Sequence, residues 1–241
     1  VGQGLALLVE TPEHTLLFDT GPAWQGGDAG SRVVVPALRR RGIHKIDALV
    51  VSHGDSDHSG GLASVQAAFP IGHLYDAGNC RRGHGWQWAQ TRFRFLHPHV
   101  AAGWSDNNAS CVLLVEHAGV RVLLPGDIER HAEQVLIKRD RITDIDLLVA
   151  PHHGSRTSSS SAFVTQSRPR FVIFATGFAN RWGFPHPEVV ERFAALDACL
   201  LNTAETGGLV FELDAAGELG EPRAARGHWL RPWVLRSESL C

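Results

Sequence analysis

Apolar runs rich in Val, Leu and Phe recur along the chain at residues 5–9, 15–18, 48–51, 111–115, 120–124, 147–150, 171–174 and 209–213. Runs of this length, bounded by Gly, Pro, Asp and His, predict buried strands. Between them, apolar residues at helical spacing predict helices over 33–41, 62–69, 128–138 and 187–196, the last opening on Pro187, which suits a first turn. The early strands follow one another like a hairpin, whereas the later ones alternate with helices. That order predicts an α/β protein with two mixed sheets covered by outer helices, a four-layer αββα sandwich. Periodicity by itself does not separate this from a doubly wound sheet.

With 241 residues, 44% of them hydrophobic and 20% charged, the chain has a sizeable core, and compositional disorder is excluded. No Ser/Gly/Pro-rich linker divides it, so residues 1–216 are expected to form one domain and 217–241 a tail or edge segment. A net charge of −2 supplies no overall attraction to nucleic acid or anionic lipid. No apolar run approaches the roughly 20 residues that span a bilayer. The chain has no Met and opens at what reads as a strand edge, so a piece of a longer protein is expected. Four widely spaced cysteines, with no Cys-x-x-Cys pair, favour neither a zinc ribbon nor a disulfide framework, and Cys111 and Cys199 are expected to be buried small hydrophobes.

Chemistry concentrates at strand ends. His53-Gly54-Asp55-Ser56-Asp57-His58 puts four potential metal ligands in six residues directly after the run at 48–51. Two imidazoles and two carboxylates crowded at a strand end are costly without a cation. Pro125-Gly126-Asp127 follows the run at 120–124, so Asp127 emerges where its carboxylate could bridge two ions. Pro151-His152-His153-Gly154-Ser155 repeats the pattern, offering either histidine as a ligand. Asp19, after the run at 15–18, is suited to accept an imidazole N–H and fix that ring's tautomer, although Asp-Thr-Gly is also an ordinary turn.

In this order, Asp19, the cluster at 53–58, Asp127 and the His152-His153 pair resemble the metallo-β-lactamase superfamily. Within it, the chain is most similar to the C-terminal hydrolase domain of the ComEC family of bacterial DNA-uptake channels. That likeness is carried by Val1-Gly2-Gln3-Gly4, Asp28-Ala29-Gly30, Val35-Pro36-Ala37-Leu38, the cluster at 53–58, Asn107-Asn108-Ala109-Ser110, Pro151-His152-His153-Gly154-Ser155 and Pro185-His186-Pro187-Glu188. The resemblance implies two divalent metal ions. The first would be held by His53, Asp55 and Asp127, with a further ligand from Asp106 or Asn108, or else His97 or His99. The second would be held by Asp57, His58, Asp127 and, by the superfamily's Gly-His-Gly turn, His153. Asp55 stands where the wider superfamily has a histidine. The oxygen-rich donor set favours Mn2+, with Zn2+ or Mg2+ as alternatives.

Two cations sharing a carboxylate activate water, and the reaction class is hydrolysis. Asp57 is the candidate for orienting that water, and His186 or His152 for donating a proton to the leaving group. Asn107, Ser155, Arg156 and His186 are candidates for contacting substrate. Arg39–Arg41, Arg81, Arg82, Arg168, Arg170, Arg223, Arg226, Arg231 and Arg236 are available to meet phosphates, and Trp86, Trp88 and Trp182 to stack on bases. The resemblance implies a DNase that degrades the non-transforming strand during natural transformation, acting on single-stranded DNA. Its partners would be the transmembrane channel portion of its own parent chain and other competence proteins, and it would be a soluble domain of an inner-membrane protein facing the periplasmic or extracellular side. The alternatives are a small-molecule hydrolase of the same superfamily, with a phosphodiester or lactone substrate, and a non-catalytic DNA-guiding module.

Overall fold

A computed structural model of the chain describes residues 1–99, 103–104, 106–214, 217–226 and 241. A four-stranded sheet has β1 (Leu7–Glu10) and β2 (Thr15–Phe18) antiparallel at one side, followed by β3 (Ile46–Val50) and β4 (Ile71–Tyr75) in parallel. A seven-stranded sheet contains β5 (Gly85–Trp88), β6 (Thr91–His97), β7 (Val112–His117), β8 (Val120–Leu124), β9 (Leu147–Val149), β10 (Phe171–Phe174) and β11 (Cys199–Asn202). Its strands lie side by side in sequence order, antiparallel from β5 to β8 and parallel from β8 to β11.

The period-2 alternation of the strands builds the layers. Leu16 and Phe18 of β2, with Ala48 and Val50 of β3, face Phe93, Phe95, Leu113 and Val115 of the other sheet. Leu17 and Leu49, one residue out of phase, face outward onto Val35 and Leu38 of α1 (Val35–Arg40) and Val65 of α3 (Leu62–Ala68). On the far side, Leu114, Leu123, Leu148 and Val172 pack against α4 (Arg130–Arg139), α5 (Ser161–Ser167) and α6 (Pro187–Ala194) through Leu136, Phe163 and Phe193. This is the four-layer αββα sandwich. The wider sheet overhangs the narrower one. Its overhanging inner face, including Phe171 and Leu201, is covered by Leu209, Phe211 and Leu219.

Several elements differ from expectation. The strand expected over 209–213 is only Leu209–Val210, paired with Arg223–Ala224, plus a bridge between Leu213 and Leu219. Strands β4, β5, β6 and β11 and helix α5 lie where no regular element was expected. The cysteines correct the sequence reading. Cys80 is bonded to Cys111 and Cys199 to Cys241, across separations of 31 and 42 residues, so a disulfide framework does exist. Cys111 is fully buried, as a small hydrophobe would be, but as a half-cystine.

Candidate metal centre

The ligand-bearing turns all leave strands at the same edge of the sandwich. Val50 ends β3 and the chain runs through Ser52 and His53 into the short helix α2 (Ser56–Ser59), which carries Asp57 and His58. Gly60 and Gly61 follow with ordinary negative φ. Their requirement is close approach, because a Cβ on either would collide with the backbone of Ala23, Thr20 or Gly30. Asp127 leaves β8 through Gly126, whose φ of 59° and contacts with the Ser110 and Ser52 side chains exclude a larger residue. His152 and His153 leave β9 with φ of 49° and 55°, and the His152 N–H donates to the Gly126 carbonyl. Two non-glycine residues held left-handed in succession are strained backbone at a functional turn.

Asp57, His58, Asp127 and His153 converge, with one ligand atom from each lying within 4.8 Å of all the others. Among the described residues this is the group that could hold a metal ion. His58 Nε2 lies 3.1 Å from both Asp127 Oδ1 and His153 Nε2, and His153 Nε2 lies 3.1 Å from Asp57 Oδ2. Hydrogen bonds on the far side of the rings assign the tautomers. His58 Nδ1 donates to Asp19 Oδ2 at 2.7 Å, and His153 Nδ1 donates to the Ala175 carbonyl at 2.8 Å. With Nδ1 committed in both rings, the two Nε2 atoms face each other and the carboxylates, an arrangement that needs a proton or a metal cation between them.

His53 points into the same space. Ser52 Oγ donates to Asp19 at 2.8 Å and so accepts from His53 Nδ1 at 3.0 Å, leaving His53 Nε2 as a buried atom with no hydrogen-bond partner. That atom faces Asp55 Oδ2 at 3.7 Å and Asp127 Oδ2 at 4.0 Å. An orphaned buried nitrogen beside two carboxylates fits a second metal position, with Asp127 common to both. Asp55 occupies the N-cap position of α2 without a side-chain capping bond.

The electrostatics agree with the geometry. Burial opposes charge on His58, but Asp127 and Asp19 outweigh it and hold its pKa well above the ordinary imidazole value. Burial and the neighbouring His58 push the pKa of His53 down, keeping that ring neutral. Burial would raise Asp127, yet His58 and His153 hold it far below the ordinary carboxyl value. The cluster carries net negative charge in a buried place, which a proton or a metal cation must offset.

A match to the metallo-beta-lactamase superfamily model extends over residues 1–177, more than half of the chain. The chain belongs to this superfamily. It is 37% identical over 217 residues to Recombination protein 2 of Haemophilus influenzae (strain ATCC 51907 / DSM 11121 / KW20 / Rd), covering 86% of this chain and 27% of that protein. It is also 37% identical over 225 residues to Competence protein ComA of Neisseria gonorrhoeae, covering 90% of this chain and 32% of that protein. The chain thus spans roughly a third or less of the length of these relatives. Among solved structures it shares the fold of the E377D mutant of CmlA beta-hydroxylase, with a TM-score of 0.50, 11% identity, and 84% of this chain and 51% of that one covered.

The remaining candidates are distributed unevenly around this superfamily centre. Asp19, fully buried with a φ of 60°, accepts from the Ser52 N–H, Ser52 Oγ and His58. His152 lies on the rim, its Nε2 3.9 Å from Asp127 Oδ2 and its Nδ1 3.3 Å from Thr157 Oγ1 and 3.5 Å from Asn107 Nδ2. His186 caps α6, its N–H donating to the Gly154 carbonyl and its ring 5.4 Å from that of Phe184. Ser155 is buried beside Thr157, and exposed Arg156 pairs with Glu188 at 2.8 Å. The structure turns Asn108 elsewhere. Its Oδ1 accepts from the Glu129 N–H at the start of α4, and its Nδ2 donates to Glu129. Asp106 is exposed, with a φ of 50°. His97 Nε2 donates to the Asn108 carbonyl, and His99 Nε2 lies 3.3 Å from Arg139.

Several arginines offered for phosphate contact are engaged in the scaffold. Arg41 pairs with Glu10, Arg82 with Asp140, Arg168 with Asp144, Arg170 with Glu221 and Arg223 with Glu212. Arg231 and Arg236 lie outside the described residues. Trp86 and Trp88 pack against Phe93 at the sandwich edge, whereas Trp182 is exposed. Sequence reasoning missed Ser52, whose hydroxyl joins Asp19 to His53; its only signal is its place between β3 and the histidine cluster. It also missed Phe184, whose ring stacks on His153 at 6.4 Å.

Proposed function

We propose that this chain is a metal-dependent phosphodiesterase that hydrolyses single-stranded DNA, degrading the non-transforming strand during DNA uptake. The observation that carries the reading is the convergence of four imidazole Nε2 atoms on the Asp127 carboxylate, those of His53, His58 and His153 buried and that of His152 at the rim. His58, His153, Asp57 and Asp127 would hold one ion, and His53, Asp55 and Asp127 the other. Three carboxylates among six donors favour Mn2+, with Zn2+ or Mg2+ as substitutes. Divalent ions in such a site polarise a phosphoryl oxygen and lower the pKa of water.

The residues of the chain perform the rest. Asp57 has a side chain 32% exposed, against 5% or less for His58, Asp127 and His153, and is placed to orient the attacking water. As the P–O bond breaks, the leaving oxygen would take a proton from His152, at the rim of the centre, or from His186, whose ring packs against the Phe184 that contacts both tandem histidines. Asn107, 3.5 Å from His152, and Ser155 and Arg156, which follow the tandem histidines, are the proposed contacts to the non-bridging oxygens. The DNA substrate is supported by the likeness to competence and recombination proteins.

The same likeness supports a longer parent chain with a transmembrane channel portion, and competence DNA-uptake proteins as partners. Among the described residues no helix is long and apolar enough to cross a membrane. Two disulfides suit an oxidising compartment, which supports the periplasmic or extracellular face of the inner membrane. The deciding experiment is cleavage of end-labelled single-stranded DNA by metal-stripped protein after addition of Mn2+, Mg2+ or Zn2+. Metal-dependent cleavage that is absent from Asp57→Ala is expected. No cleavage despite confirmed metal loading would move the assignment to a small-molecule hydrolase or a DNA-guiding module.

A further inference from the structure

Among the described residues, the large aromatic side chains most exposed to solvent are Trp24, Phe178 and Trp182, at 42%, 72% and 47%. All three lie on two loops, and each loop is docked on a different ligand-bearing turn. The Ala23–Trp24/Gly27–Asp28 hairpin sits on α2, where the Ala23 N–H approaches Ser56 Oγ and the flanking Thr20 N–H donates to the His58 carbonyl. The loop from Gly177 to His186 sits on the tandem-histidine turn, through Phe184 against His152 and His153 and through the His186 N–H to the Gly154 carbonyl. Gln3 Oε1 accepts from the Gly177 N–H, and the Leu5 N–H donates to the Asp57 carbonyl, so the N-terminal segment ties the two sides together.

Neither loop is floppy at its base, and neither tryptophan is bare. Asn180 pins the second loop, donating to the carbonyls of Gly177 and Phe184 and accepting from the Phe184 N–H. The Arg32 guanidinium lies over the Trp24 ring at 5.5 Å, and that of Arg181 over Trp182 at 4.4 Å. A rigidly presented indole with a cation on its face suits a ligand that combines flat π-surfaces with regularly spaced negative charge. Bases locked in a duplex do not offer their faces; unpaired bases do.

We infer that Trp24 with Arg32, and Trp182 with Phe178 and Arg181, form two stacking walls that grip unpaired nucleobases on either side of the metal centre. A single strand is thereby laid across the Asp57–His58–Asp127–His153 cluster. The inference rests on the phosphodiesterase reading of that cluster and supplies its preference for single strands.

Binding is measured by fluorescence anisotropy of a labelled oligothymidylate of about 20 nucleotides in EDTA, where no hydrolysis is needed. Trp24→Ala and Trp182→Ala should each raise Kd about 5- to 100-fold, with Trp→Phe at the same positions recovering most of the loss. A duplex of the same length should compete poorly. Unchanged Kd in both alanine variants, or equal competition by the duplex, overturns the inference. So does a pattern in which these variants lose binding to phosphatidylglycerol vesicles but keep the oligonucleotide, which would make the loops a lipid contact. Failure of the catalytic reading is seen separately, as a parent protein that binds the strand and cleaves nothing with any ion.

Discussion

His58 and His153 meet Nε2 to Nε2 at 3.1 Å, while each ring gives its Nδ1 proton to an acceptor behind it, Asp19 for one and the Ala175 carbonyl for the other. Two ring nitrogens brought together in a buried place by hydrogen bonds at their backs are a preorganised receptor for a cation, metal or proton. Saturating Mn2+ or Zn2+ should therefore raise the thermal midpoint, by about 2.7 kcal/mol of stabilisation at a hundredfold excess over Kd. Calorimetry with and without EDTA checks this. His153→Ala should abolish most of the shift, and an unchanged shift in that variant would remove His153 from the site.

Asp57→Ala should leave the fold intact and reduce hydrolysis to background. Circular dichroism and single-turnover cleavage of labelled DNA test the two halves separately. Normal turnover by a folded variant would falsify the assignment of Asp57.

His186→Ala should lower kcat by about 100- to 10,000-fold, the range for loss of a proton donor, with bound metal unchanged. Metal content by mass spectrometry and steady-state rates decide it. Loss of an equivalent of metal would make His186 a ligand, and an unaffected rate would pass the role to His152.

The Cys80–Cys111 disulfide closes a loop of 31 residues. In the chain-entropy picture this contributes about 3–4 kcal/mol. It also anchors the turn after β4 to Cys111, whose N–H donates to the Ser52 carbonyl beneath the metal centre. The Cys80→Ser, Cys111→Ser double variant should unfold at correspondingly lower urea, and the parent should shift likewise under reductant. Coincident urea curves would contradict it.

Glu133 is buried on α4 and accepts from the Ser159 and Ser160 N–H groups at the start of α5. Burial raises its pKa above the ordinary value of 4.5, although the Ser160 and Ser159 hydrogen bonds pull the other way. A raised folded pKa means that the native state holds the proton more tightly than the unfolded chain. The stability it contributes is complete below about the ordinary carboxyl value and is lost as pH rises through the folded pKa. Glu133→Gln should remove this decline. Urea titrations of parent and variant across mildly acidic pH would show the two stabilities converging or crossing as pH rises; a constant difference would refute it.

The sequence determined the parts whose information is local. Alternating Leu16, Leu17 and Phe18 dictate a strand with two buried faces, and ligands packed after strand-forming runs mark turns that must meet a cation. Other elements were masked by their composition. The first half of Thr91–His97 alternates buried Thr91 and Phe93 with Arg92 and Arg94, so its buried face is hidden by charge, and Ile71–Tyr75 carries Gly and His at exposed positions. The disulfides have no motif, because residues 31 and 42 apart pair only when the sheets have packed.

Which histidine of the tandem pair enters the four-residue cluster was equally a tertiary decision. His152 and His153 are chemically identical, and only the left-handed turn, the Ala175 carbonyl and the Gly126 contact aim one inward and leave the other at the rim. The same holds for Asn108, which has the donor chemistry of a ligand but is drawn away by the unsatisfied N–H groups opening α4. Sequence fixes which groups are available and which face of a strand they share. Their aim depends on hydrogen bonds to partners far along the chain, and those exist only after the two sheets have closed on a common core.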